Sequence, residues 1–120
     1  MVTKVVVGAL LAGLTLSGAM HLRLTDSIPK AETSVSESPG EIRVWFNQQP
    51  QLPVSRLGLA GPAGEIELGR AEDAEGMSFT SAVQDTLGAG EYTVSWRTAG
   101  DDGHVRRGNF TFTVSAGEGH

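Results

Sequence analysis

The segment Leu87–Arg97, LGAGEYTVSWR, is where the fold of this chain is most legible. Tyr92, Val94 and Trp96 alternate with Thr93 and Ser95, the two-residue period of a strand with one buried face. Gly88 and Gly90 mark the turn that leads into it. A tyrosine at the start of a penultimate strand, directly after such a turn, stands where a tyrosine corner forms, its hydroxyl bonded back to backbone a few residues upstream.

The same period recurs on both sides. On the carboxyl side, Phe110, Phe112 and Val114 alternate with Thr111 and Thr113 in the closing strand. On the amino side, EIRVWF turns Ile42, Val44 and Phe46 inward and Arg43 and Trp45 outward. Further runs offer Leu22 with Leu24, Leu57 with Leu59, Ile66 with Leu68, and Met77 with Phe79. Gly61, Pro62 and Gly64 build a turn between the second and third of these runs. No segment sustains a helical period. About seven short strands, with a turn signal every ten residues or so, predict an all-β fold, an immunoglobulin-like β-sandwich or Greek-key barrel.

The 120 residues carry a net charge of −5 and no cysteine, which suits one domain and leaves packing alone to stabilise it. An aromatic content of 6% predicts a small, aliphatic core. The acidic balance opposes a nucleic-acid partner and opposes charge-driven attachment to anionic lipid.

Residues 1–20 read as a secretory signal peptide. Lys4 precedes the apolar run Val5–Leu16, twelve residues long and short for a membrane span. The mature domain is then residues 21–120, exported from the cell interior. Cleavage after Met20 makes His21 the first residue. Cleavage after Ala19, with Ser17 at −3, follows the small-residue rule more closely and leaves Met20 ahead of it.

No catalytic constellation stands out: there is no G-x-S-x-G elbow, no phosphate-binding glycine loop and no H-E-x-x-H. The chemistry available rests on His21, His104 and His120, the only histidines. In AGDDGH, Asp102 and His104 are two apart and fall on one side of an extended segment, with Gly103 allowing a bend. Solvated surface is the plainer reading of such a pair, and Asp101 and Asp102 also suit turn hydrogen bonds. If His21 is the amino terminus, its amine and imidazole form a chelate. With His104 and Asp102 they make three nitrogens and one oxygen, a set suited to Cu(II); zinc accepts the same donors in a tetrahedron. His120, on a glycine-rich tail, is given no role.

These motifs resemble the CopC family of periplasmic copper-binding proteins. HLRLTDSIP is similar to its mature start, through His21, Leu24, Ser27 and Pro29. EIRVWFNQ is similar to its second strand, and LGAGEYTVSWRTAGDDGH to its Tyr-x-Val-x-Trp strand followed by Asp-x-His. The resemblance spans nearly the whole chain after residue 20. It implies one Cu(II) per chain, held by His21 through amine and imidazole and by Asp102 and His104. It also implies a role in copper tolerance or supply, with a CopD-like membrane protein as partner. Gln48 stands where some members have a glutamate near the metal, so it is expected to orient a ligand or a water. Met77 is expected to fill the core, and no separate Cu(I) site is expected. An enzyme of the amino-terminal-histidine oxidative type is the first competing reading. A carboxylate donor would occupy a position dioxygen needs, and Trp45 is the only obvious outward aromatic to meet a polysaccharide; the reading adopted is non-enzymatic. The second competitor is a metal-free interaction module.

Overall fold

The computed structural model describes residues 21–116. The predicted signal peptide, residues 1–20, and the last four residues with His120 lie outside the described residues. Among the described residues, nine strands run in chain order: β1 (Leu24–Ile28), β2 (Ser34–Val35), β3 (Glu41–Phe46), β4 (Arg56–Gly61), β5 (Gly64–Ile66), β6 (Glu72–Ala74), β7 (Ser78–Ala82), β8 (Gly90–Ala99) and β9 (Val105–Val114). They form two sheets, ordered β1-β3-β7-β6 and β2-β9-β8-β4-β5. Every pairing is antiparallel except β2 with β9. The predicted sandwich is the observed one. The two strands beyond the expected seven, β2 and β6, have two and three residues, too few to display a period.

Alternation decides what each strand buries. β3 presents Ile42, Val44 and Phe46 to the interior, β8 presents Tyr92 and Val94, and β9 presents Phe110, Phe112 and Val114. Arg43 and Trp45 stand on the other face of β3, where the guanidinium lies 4.4 Å from the ring centroid. The core is more aromatic than the composition suggested. All four phenylalanines and the single tyrosine are buried, and Trp96 packs edge-on against Phe46 at 5.1 Å. Phe46 also stacks on Phe79 at 5.9 Å, and Tyr92 on Phe112 at 5.5 Å. A low aromatic fraction concentrated on inward positions still builds an aromatic interior. The Tyr92 hydroxyl donates to the Gly88 carbonyl at 2.7 Å, completing the tyrosine corner.

Met77 departs from expectation. It sits in the turn before β7 with φ +62°, 41% exposed, and fills no part of the core. The strand begins one residue later than the sequence suggested, and Phe79 and Ser81 take the inward positions.

The site end of the sandwich follows from two pairings. β8 and β9 pair without interruption from Gly90 with Val114 to Ala99 with Val105. Their turn, residues 100–104, therefore projects from the end of the hairpin. β1 runs antiparallel to β3, Leu24 opposite Phe46, so the arm before β1 meets the segment that leaves β3.

Candidate metal centre

The AGDDGH segment is a tight turn with its own hydrogen bonds. Gly103 N–H donates to the Gly100 carbonyl at 3.1 Å, and Gly103 adopts φ +76°, a conformation that favours glycine. Asp102 then engages His104 twice. Its Oδ1 accepts from the His104 backbone N–H at 3.0 Å, and its Oδ2 lies 3.1 Å from His104 Nδ1. The backbone bond is the largest cause holding the Asp102 carboxyl below the ordinary carboxylate range; the ring contact follows, and the charges of His104 and Arg106 act in the same direction. Both side chains are exposed. When His104 Nδ1 carries the proton shared with Asp102, Nε2 keeps its lone pair, the carboxylate–imidazole arrangement that orients histidine ligands.

Two neighbouring amides tie this turn to the amino-terminal arm. Gln48, buried, accepts the Asp101 N–H on Oε1 at 2.9 Å. Asn47, one residue earlier, holds the arm. Its backbone N–H donates to Arg23 O at 3.0 Å, its Oδ1 accepts Arg23 N–H at 2.7 Å, and its Nδ2 donates to His21 O at 2.8 Å. Gly100 completes the junction. A Cβ built there would meet the Gln48 amide and would lie 3.2 Å from Leu22 Cδ1. Gln51 supports the same turn from below, its backbone N–H bonding Ala99 O at 3.0 Å and its side-chain amide bonding Gly100 O.

The structure thus pairs Asp102 with His104 and holds the His21 backbone at the same end of the sandwich. It does not gather the three side chains. Among the described residues, no group of three or more histidine, aspartate or glutamate side chains is close enough to share a metal ion. Asp101 contributes its backbone to the junction. Gln48 acts on the turn through that backbone bond to Asp101. Asn47 went unremarked in the sequence. Its only signal there is a pair of amides directly after a strand, and an amide at a strand end usually needs no further explanation than a turn.

An immunoglobulin-like sandwich with an Asp-x-His turn spliced to its amino-terminal arm defines a narrow class, and comparison with known proteins agrees with it. The CopC domain model matches residues 24–115, and the chain belongs to the CopC family. Copper resistance protein C of Escherichia coli is 29% identical over 119 residues, covering 92% of this chain and 94% of that protein. Among solved structures, CopC from Methylosinus trichosporium OB3b superposes with a TM-score of 0.74 at 25% identity, covering 83% of this chain and 99% of the other. PcoC, a methionine-rich copper resistance protein from Escherichia coli, gives 0.72 at 29% identity, over 80% and 100%.

Proposed function

We propose that this protein is an exported copper carrier of the periplasm that binds one Cu(II) per chain and sequesters it, or delivers it to a CopD-like membrane protein, in copper tolerance or supply. Family membership supports copper as the cargo, since copper resistance protein C and PcoC, both from Escherichia coli, are named for copper resistance. The observation that carries the site assignment is the Asn47–Gln48 junction, which fastens the His21 backbone and the Asp101–His104 turn to consecutive residues. The ligands assigned are the His21 amine and imidazole, His104 and Asp102. The amine becomes available when processing removes residues 1–20.

The residues fit this cargo. The donor set is nitrogen and oxygen with no thiolate, the set that suits Cu(II) rather than Cu(I). The chain contains no cysteine, and Met77 stands alone at its turn. Asp102 can serve in two ways: it can keep its bond to His104 and orient the imidazole, or release it and bind the ion directly. A carrier needs no open coordination position, and a closed set of four donors opposes the enzymatic reading.

The test is an EPR-monitored Cu(II) titration of protein processed by a bacterial host, its amino terminus checked by intact mass. One equivalent of type-2 copper with nitrogen couplings, abolished in His104→Ala, is the expected result. Weak or multiple binding on a chain that begins at His21 would overturn it. Asp102→Asn separates the two roles of Asp102. An orienting role weakens binding by about 10–100-fold and preserves the nitrogen couplings. A ligand role changes the copper parameters themselves.

A further inference from the structure

The outer face of the five-stranded sheet carries a feature that the copper reading does not use. Leu57 and Leu59, Tyr92 and Val94, and Phe110 and Phe112 all point inward, so Arg56 on β4, Arg97 on β8 and Arg107 on β9 point out. These three are direct cross-strand partners, Arg56 with Arg97 and Arg97 with Arg107. Side chains so paired have Cβ atoms about 5 Å apart, and like charges placed this way repel.

Nothing among the described residues neutralises the row. The two ion pairs, Lys30 with Asp26 and His104 with Asp102, use none of these arginines. Arg97 Nε is buried and has no hydrogen-bond partner, the one such side-chain atom among the described residues. A buried donor on a cation, left without an acceptor, is costly and calls for an explanation. The three arginines line a groove of about 420 Å³ that also reaches Ser95 and Asn109, cross-strand partners one row further along the same face. Opposite Ser95 stands Gly58; a Cβ there would lie 2.7 Å from Ser95 Oγ, so its absence keeps that row open.

We propose that this row binds a small oxyanion of the phosphate class, with the Arg97 fork as its central donor. The planar guanidinium presents paired N–H groups that match phosphate or carboxylate oxygens two at a time. A bound oxyanion meets the Arg97 guanidinium where it lines the groove and offsets the repulsion along the row. Ser95 and Asn109 add uncharged donors beside it. The net charge of −5 makes the row a local exception on an acidic chain. That balance opposes approach to an anionic bilayer and favours a small diffusible anion over a lipid headgroup.

The experiment is a titration of the ¹⁵N-labelled mature protein with inorganic phosphate at constant ionic strength, following the arginine side-chain Nε–Hε signals. A saturable shift of the Arg97 signal with an apparent Kd of about 1 mM or tighter is expected. Arg97→Gln and Arg107→Gln should each weaken it by about tenfold or more, with copper binding and melting temperature retained. Arg107→Lys should recover only part, since it restores the charge without the fork. A linear drift, or the same response to chloride, would mean ionic screening only and would overturn the proposal. Sedimentation with phosphatidylglycerol vesicles without a response to free phosphate would overturn it in favour of a headgroup. Should one glutamine variant fail to fold, the other and the Arg107→Lys variant still decide it.

Discussion

Gly100 is the residue on which the site end is most sensitive. Its missing side chain lets Leu22 and the Gln48 amide close on the turn together. Gly100→Ala should displace Gln48 from the Asp101 N–H and cost about 1–3 kcal/mol, the usual range for overpacking, read as a lower urea midpoint. The loss of copper affinity should exceed that of a surface alanine, because the displaced amide is the one that holds the turn. Asp102 gives a pH prediction of defined sign. Its carboxyl is depressed in the folded protein, chiefly by the His104 backbone N–H, so its stabilising contribution is present above the ordinary carboxylate pKa. That contribution is lost as the pH falls through the depressed value. A ¹³C titration of the apoprotein should give Asp102 a lower midpoint than an unperturbed aspartate, and Asp102→Asn should flatten the acid limb of the stability curve.

At the scale of elements, the β8–β9 hairpin and its two ends are what the fold contributes to the site. Tyr92→Phe removes the bond to Gly88 O at the far end and should cost about 1 kcal/mol without altering copper binding, a pair of readouts that separates scaffold from site. Gly103→Ala strains the near end, at φ +76°, and should cost about 1 kcal/mol while also weakening the metal. The inward faces of β3, β8 and β9 were legible because apolar and polar residues alternate there without a break. The length of the hairpin was not. Val105, Arg106 and Arg107 show no apolar period, yet they pair with Thr98 and its neighbours, because strand partnership with β8 overrides local pattern. Asp102 and His104 were visible as a motif, but their bond to each other was not, since the αL turn at Gly103 that creates it is set by backbone geometry. The Asn47 tether was hidden for a similar reason. It joins residues 24 and 26 positions apart, and only the β1–β3 register brings them together.

For the molecule as a whole, a domain without cysteine depends on its interior. Phe79 stacks on Phe46 with no exposure to water, and Phe79→Ala should cost about 3–5 kcal/mol, a large share of the total for a domain of this size. Thermal melting should be indifferent to reductant, since there is no disulfide to lose. The composition led toward an aliphatic core because it counts aromatic residues without their positions; the alternation of Phe110, Phe112 and Tyr92 held the better information. The borders of the two sheets carry a consequence of their own. The outermost strands have five, two, three and three residues, and β1 is broken by a bulge between Leu24 and Asp26. A second copy arriving side-on finds almost no ladder to extend, and along β1 it meets the charged Asp26–Lys30 pair. Even when crowded, this protein is built to stay dispersed, and light scattering on concentrated samples should find single particles before any fibre.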